Sequence, residues 1–199
     1  GIHLMLAGVI SLGGPIQIIP SLRKWFPTFH RWNGRIYIST AIILSLTGFY
    51  LTWIRGSIGG LIGDVAITIN GVLIIVFAMI AIRYAMRREF GAHRKWALRL
   101  FMVMSGVWFF RVGFMFWMLI HQKPVGFDPD TFQGPFLSFL SFAQYLLPLF
   151  FLELYFWAQE RAGQAGKIGT AVLIAVLAIG TAAGIFGAIM GLWLPAFTS

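Results

Sequence analysis

Two short segments of the chain place histidine, arginine and tryptophan next to one another. The first is FPTFHRWNGRIY, residues 26–37, and the second is FGAHRKWALRL, residues 90–100. Histidine changes its charge near neutral pH, and neutral imidazole is a common metal ligand. His30 and His93 open two separate apolar segments at the same expected depth, so they are candidates for the two axial ligands of one b-type haem.

Two arginines accompany these histidines. Arg111 follows His93 by eighteen residues, which is five turns of an α-helix, so we expect both side chains on one face of a single helix. An arginine inside a membrane is costly unless it faces the protein interior. We therefore predict that Arg111 or Arg99 balances the charge of the haem propionates, or of the headgroup of a quinone-like redox ligand.

A stripe of small residues runs along the segment that begins with the first histidine. Gly34, Ala41 and Gly48 recur at intervals of seven, which brings them to one face of a helix. Glycine is used where another group must approach the backbone closely. We expect a flat cofactor or a closely packed helix against this face, with Gly34, Tyr37 and Gln17 among the binding residues.

Further polar residues are expected inside the membrane, where they are functional candidates because polar groups in lipid are costly. Counting about 1.5 Å per residue along each helix puts Asn70 and Gln144 at the level of Arg111, where they could bind its guanidinium or share its ligand. Glu153 falls nearer the inner face, level with Arg99. These two residues could form a structural ion pair.

His3 and His121 form a second pair near the outer face, which would allow a second haem. This pair is the weaker one, because His121 lies where its helix ends and such a histidine is more often solvated. Histidines at the mouth of a helix also commonly hydrogen-bond a carbonyl or a lipid headgroup. An interfacial or structural role for His30 and His93 therefore stays open.

The composition indicates that these residues belong to a membrane protein. The chain is 59% hydrophobic, 17% aromatic and 11% charged, whereas soluble domains carry about 25% charged residues. Recurring apolar runs of about 20 residues are long enough to cross a bilayer as helices. They predict an all-α, polytopic transmembrane helical bundle, with residues 1–199 as a single transmembrane domain. The six predicted spans are roughly 2–20, 34–54, 64–83, 96–120, 135–159 and 168–194.

The basic residues indicate the orientation of the spans. Alternating the spans places twelve of the 15 lysines and arginines on one face and two on the other, and leaves Arg111 inside a span. Because positive charge accumulates on the cytoplasmic side, the loops near 21–33, 84–95 and 160–167 are predicted to be cytoplasmic, in the cytoplasmic (inner) membrane of a bacterium. Gly1 already lies in an apolar run, which suggests a preceding helix or signal segment.

Several chemistries do not fit the residues present. The chain has no cysteine, so it holds no disulfide, iron–sulfur cluster or thiolate nucleophile. Hydrolase and metalloprotease motifs are absent from the sequence. The formal net charge of +9 does not indicate nucleic-acid binding, because that would require a soluble basic surface.

The last predicted span is rich in glycine. Gly180, Gly184, Gly187 and Gly191 form pairs of small residues spaced by four, which let helix backbones approach closely. The helix packed against this face is predicted to belong either to the same chain or to a partner subunit, including a second copy.

The polar segments resemble a family of bacterial predicted membrane proteins, domain of unknown function 2306. Its pattern His-x4-Gly…Gly-Pro-x-Gln…His-Arg-Trp-x-Gly-Arg-x-Tyr matches residues within 3–37. Its later pattern, His-Arg-x-Trp-x-x-Arg and then an arginine within a span, matches residues 93–99 and Arg111. The resemblance covers roughly residues 3–157, so the Gly-rich span 168–194 lies outside it. It implies the membrane architecture and the same polar residues, but no reaction.

Three functions follow from these observations as hypotheses. The leading one is electron transfer through a b-type haem or a quinone-like ligand held between spans two and four. The first alternative is a non-catalytic membrane subunit that binds lipid or a partner protein at the cytoplasmic face. The second alternative is a small anion transporter that uses Arg111. Whether the protein is an enzyme stays open.

Overall fold

The computed structural model describes residues 2–194, and most of this range is helical. No strand occurs within the described range, so the predicted all-α class is confirmed. A π-helical turn, Ile189–Trp193, extends the last helix. The α-helices are α1 (Ile2–Ile18), α2 (Pro20–Trp25), α3 (Pro27–Trp53), α4 (Gly60–Met86), α5 (Phe90–Met104), α6 (Gly106–His121), α7 (Pro135–Glu160) and α8 (Gln164–Ala188).

Four of these helices are long and apolar enough to cross a membrane: α3, α4, α7 and α8 with its extension. Helices α5 and α6 pass the same test when they are taken together as one interrupted span, which makes five. Helix α1 is apolar but shorter. Five of the six predicted segments therefore each appear as one apolar helix, and the fourth appears as two. Four or five of the six meet the length and composition required for a span.

The helices extend beyond the predicted spans, so the connections are shorter than predicted. Helix α3 begins at Pro27 and α5 begins at Phe90. Proline suits the first helical position because the N–H group that it lacks would be unpaired there. Much of the predicted loops 21–33, 84–95 and 160–167 is consequently helical, since arginine and lysine are good helix formers outside the apolar core.

The fourth predicted span is interrupted. Ser105 separates α5 from α6, and both its backbone N–H, at 3.0 Å, and its hydroxyl, at 2.9 Å, donate to the carbonyl oxygen of Phe101. A serine that bonds back to the preceding turn often bends a helix, and Gly106 adds backbone freedom. The two helices are bent by 51° at this break, so the prediction of one continuous helix from His93 to Arg111 is wrong, and a shared face for these two residues stays a prediction.

The chain divides into two compact units. Unit 1 comprises the residues up to Ser57 together with Asp64–Ser105, and it contains α1, α2, α3, α5 and most of α4. Unit 2 comprises Ile58–Gly63 and the residues from Gly106 onward, and it contains α6, α7 and α8. The prediction of one transmembrane domain stays a prediction.

Close helix contacts in unit 1 occur at glycines. An added Cβ at Gly14 of α1 would lie 3.0 Å from the ring of Phe101 and 3.1 Å from that of Tyr37. On α4, Gly71 receives the ring of Phe49 from α3. The absence of a side chain at these two glycines therefore lets aromatic rings of neighbouring helices fill the space, which is how small residues promote packing in lipid.

The glycine-rich face of α8 packs on α6 within unit 2. An added Cβ at Gly184 or Gly187 would lie 2.6 or 3.3 Å from a carbonyl oxygen of α6. Gly191 faces the side chain of Met115, whereas nothing lies within 4 Å of a Cβ built at Gly180. The helix packed against this face was predicted to belong to the same chain or to a partner subunit. For three of the four glycines it belongs to the same chain.

The connection between α6 and α7 is an ordered turn. The Trp117 ring stacks on Phe136 with centroids 4.4 Å apart. One oxygen of the Asp128 carboxylate accepts from the Asp130 N–H at 2.9 Å, and the other accepts from the Thr131 hydroxyl at 3.0 Å. These two hydrogen bonds lower the pKa of Asp128. The Asp128 carboxylate therefore stabilises a turn in this loop.

Candidate functional site

Six of the seven predicted cofactor-binding residues belong to unit 1, and the seventh, Arg111, belongs to unit 2. The six come from α1, α3 and α5, and α5 is distant in sequence from the other two, so the fold rather than local sequence brings them into one unit. The six residues are Gln17, His30, Gly34, Tyr37, His93 and Arg99.

The side-chain amide of Gln17 joins the end of α1 to the start of α3. Its Nε2 donates to the backbone carbonyl of His30 at 3.2 Å and lies 3.4 Å from the His30 Nε2. Its Oε1 accepts from the Asn33 Nδ2 at 2.8 Å, and Asn33 also donates to the Gly13 carbonyl at 3.0 Å. Asn33 was not among the predicted residues, although it stands between Trp and Gly in the first polar segment.

The predicted stripe of small residues is covered in part by α1. A Cβ at Gly34 would lie 2.7 Å from the Gln17 Nε2, so the missing side chain makes room for this amide. Tyr37 and Ala41 are buried, and nothing lies within 4 Å of a Cβ at Gly48. Either a flat cofactor or a closely packed helix was expected against this face. At Gly34 it is a packed helix, α1.

His93 lies in the first turn of α5, and its Nδ1 is 2.9 Å from the backbone carbonyl oxygen of Ala81 on α4. A carbonyl oxygen only accepts hydrogen bonds, so Nδ1 carries the hydrogen in the neutral ring and Nε2 keeps its lone pair. Metal-ligating histidines commonly donate their other N–H group to a carbonyl in this way.

The two predicted histidines both belong to unit 1, His30 on α3 and His93 on α5. Both imidazoles are half-buried. The described residues contain no group of three or more His, Asp or Glu side chains arranged to hold a metal ion. Any iron ligation at this place would therefore rest on these two imidazoles.

Each His-Arg-Trp segment also contains an arginine over a tryptophan. The guanidinium carbon of Arg35 lies 5.2 Å from the ring centroid of Trp32, and that of Arg99 lies 4.6 Å from Trp96. These are cation–π distances. Trp32 is 59% exposed, so the first pair presents a basic and aromatic surface.

The other predicted polar residues have separate environments. Asn70 is buried in unit 1, where its Nδ2 donates to the Val103 carbonyl at 3.2 Å. Its Oδ1 has no hydrogen-bond partner in the described part of the chain. Gln144 is buried in unit 2 and donates to the Ser141 carbonyl of its own helix at 2.8 Å. Glu153 is exposed on α7.

The two outer histidines each have a hydrogen-bond partner within their own unit. The Nδ1 of His3 is 3.0 Å from the Thr47 hydroxyl. The Nδ1 of His121 is 3.0 Å from the Trp117 carbonyl, and the His121 ring lies over the Trp117 ring at 3.9 Å. Helix packing and helix termination are sufficient reasons for these two histidines.

Tyr145 is a buried polar residue that the sequence analysis missed. It is fully buried on α7, and its hydroxyl has no hydrogen-bond partner among the described residues. In the sequence it follows Gln144 directly within an aromatic run. That run resembles a set of bulky side chains that face lipid, so no local pattern distinguishes this buried tyrosine from the lipid-facing aromatic residues around it.

The helices and boundary residues described above define an integral membrane protein with several apolar helices. The chain belongs to the family described as predicted membrane protein, domain of unknown function 2306 (DUF2306), whose model matches residues 1–134. The match includes both His-Arg-Trp segments and Arg111, and it ends one residue before α7. No curated protein and no solved structure matches the chain.

Proposed function

We propose that unit 1 binds a redox ligand at His30 and His93, either a b-type haem or a quinone-like molecule, and that the protein transfers electrons in the cytoplasmic membrane of a bacterium. One observation carries this proposal. Imidazoles from α3 and α5, which are far apart in sequence, belong to the same compact unit, where the Gln17 amide lies beside His30 and the Ala81 carbonyl orients His93. Two neutral imidazoles from neighbouring helices are a common axial ligand pair for haem iron.

The donor set fits a haem at one histidine directly and at the other after a side-chain rotation. At His93 the Ala81 carbonyl accepts the Nδ1 hydrogen bond, so Nε2 would be the ligating atom. At His30 the Nε2 faces the amide nitrogen of Gln17 at 3.4 Å, which is long for a hydrogen bond. The Gln17 Nε2 would therefore have to move away from the imidazole when His30 binds iron, while the Gln17 Oε1 could keep its hydrogen bond from Asn33.

When bound, a haem would supply one-electron transfer. The protein would contribute the two imidazoles and the charge of Arg99, whose guanidinium is held beside the Trp96 ring. A quinone-like ligand would use the same imidazoles as hydrogen-bond partners for its oxygens, since neutral imidazole is both donor and acceptor.

The absorption spectrum of the purified full chain, produced with added haem precursor, tests the haem. We expect a Soret band, and an α band after reduction with dithionite. His30→Ala and His93→Ala should each abolish both bands. His121→Ala is the matched control, because its ring is bound to Trp117 within unit 2, and it should leave the spectrum unchanged.

A colourless wild-type protein, or Soret and α bands that persist in both histidine variants, would refute the haem proposal. In that case solvent extracts of the same preparations are analysed for quinone by chromatography. Quinone that co-purifies with the wild type and is lost in both histidine variants would support a quinone-like ligand at this site. Absence of both ligands would overturn the redox function.

A membrane subunit that binds anionic lipid is the second candidate, and the arginine–tryptophan pairs favour it. Trp25 and Trp32 are 70% and 59% exposed, and a basic and aromatic surface at a membrane boundary attracts anionic headgroups. Phosphatidylglycerol retained by the purified protein should then decrease in Arg35→Gln and Arg99→Gln. His30→Ala should leave that retention unchanged.

A further inference from the structure

We propose that the exposed groove between α6 and α8 receives a transmembrane helix of a partner protein, and that Arg111 pairs with a carboxylate carried by that helix. The proposal concerns unit 2 and does not depend on the histidines of unit 1.

The position of Arg111 is the first observation. It is the sixth residue of α6 and lies ten residues before the end of this helix at His121. At about 1.5 Å per residue this is about 15 Å, which is half of a hydrocarbon core about 30 Å thick. Arg111 is exposed, and no hydrogen bond or ion pair joins it to another described residue. A charge at this depth is costly unless it is paired.

The groove beside Arg111 is the second observation. Arg111 precedes Met115 by four residues and Met118 by seven, so all three lie on one face of α6. Met115 and Met118 line the groove. Arg111 therefore stands on the groove side of α6, one turn before the groove begins. The lining residues used here are Met115, Met118 and Gln122 of α6, with Phe186, Gly187 and Met190 on the α8 side.

The walls of the groove are apolar and adaptable. Phe186 and Met190 are 59% and 52% exposed, and methionine fits irregular surfaces because its side chain is flexible. In lipid, apolar contact alone gives little preference for a protein partner over acyl chains, so helix association depends on close packing together with a polar pair. Arg111 supplies one half of such a pair.

The other half does not come from a second copy of this chain. Its six acidic residues all lie within the described range and at other levels. Asp64 is four residues from the start of α4 and accepts a hydrogen bond from Ser57. Glu153 is eighteen residues into α7, about 27 Å along that helix. The remaining four lie at helix ends or in loops: Glu89, Asp128, Asp130 and Glu160.

A synthetic transmembrane peptide of known sequence is a direct probe. A fluorescent leucine-rich helix with one central Asp is mixed with the labelled full chain in phosphatidylcholine vesicles, and energy transfer reports association. We expect the Asp peptide to bind about tenfold more tightly than the all-Leu peptide. Arg111→Met should remove this difference. Arg161→Met, at the end of α7, is the matched control and should retain it.

A second variant tests the groove separately from the charge. Met118→Trp fills the groove and keeps Arg111, so it should also weaken binding of the Asp peptide. Circular dichroism checks that each variant keeps its helix content, which we expect because Arg111→Met removes a charge from lipid.

Three results would overturn the proposal. The first is that the Asp peptide binds the wild-type chain no better than the all-Leu peptide does, or binds Arg111→Met as tightly as it binds the wild type. The second is that the chain is found to associate with itself in a manner that requires Arg111, which would make the partner a second copy. The third is that the Asp peptide does not bind, but vesicles that contain the chain alone take up radiolabelled acetate and lose this uptake in Arg111→Met. That result would make Arg111 a site for small anions.

Discussion

Gly184 shows how one missing side chain decides a helix contact. A Cβ there would lie 2.6 Å from the Val112 carbonyl oxygen, closer than real Cβ atoms approach, so Gly184→Ala must displace α8 or α6. We expect the free energy of unfolding to decrease by about 1–3 kcal/mol, as for other overpacked sites. Unfolding in mixed detergent micelles, followed by circular dichroism, measures this.

Gly180→Ala is the control for this prediction. Nothing lies within 4 Å of its Cβ, and alanine is the better helix former, so stability should stay the same or rise slightly. Equal losses at Gly180 and Gly184 would contradict the packing of α8 on α6 described here.

The histidines show what a single residue type leaves undecided. His30 and His93 were identified from their polar segments, and His3 and His121 from their expected depth, but the role of each ring depends on its hydrogen-bond partner. His93 meets a carbonyl on α4, whereas His121 meets a carbonyl of its own helix. Of these two arrangements, only the first ties the imidazole to a second helix.

The contact between α1 and α3 can be tested through Gln17. Its amide bonds the His30 carbonyl and the Asn33 side chain, so Gln17→Leu removes two hydrogen bonds between elements. We expect a loss of about 1 kcal/mol in the free energy of unfolding. Gln159→Leu, which removes an exposed bond to Tyr155, should change stability by less than about 0.5 kcal/mol. No loss of stability in Gln17→Leu, or an equal loss in Gln159→Leu, would contradict the role of Gln17 in joining these helices.

The interruption at Ser105 is the element that sequence periodicity did not predict. A stripe at helical spacing assumes an unbroken helix from His93 to Arg111. The Phe101 carbonyl accepts the ordinary helical bond from the Ser105 N–H and a second bond from the Ser105 hydroxyl, and α5 ends at Met104. Serine is neutral enough within helices that its presence alone does not predict a break, so the depth of Arg111 could be inferred but its direction could not.

The orientation of the whole molecule in the membrane can be tested because the chain has no cysteine. Asp130→Cys places one thiol in the loop after α6, and Glu89→Cys places one between α4 and α5. If the arginine-rich face is cytoplasmic, a membrane-impermeant maleimide should label Asp130→Cys in intact cells. Glu89→Cys should react only after permeabilisation, and the reverse pattern would refute this orientation.

The two units divide the predicted residues between them. Unit 1 contains both His-Arg-Trp segments and the hydrogen bonds around Gln17, whereas unit 2 contains Arg111, the glycine contacts of α8 and the groove. A ligand site in unit 1 and a partner site in unit 2 are therefore separate proposals. The histidine variants test only the first, and Arg111→Met tests only the second.

The amino-acid sequence by itself determined that this protein is a helical membrane protein, where its apolar helices lie and which polar residues are candidates. These properties depend on neighbours along the chain, because an apolar run satisfies its backbone in lipid only as a helix. The tertiary structure alone decided that Gln17 fills the space at Gly34, that Ala81 orients His93, and that α8 packs on α6. The physical reason is that many helix faces are equally apolar, and lipid supplies no hydrophobic force to choose among them. The choice depends on close packing and on individual hydrogen bonds between residues that are distant in sequence.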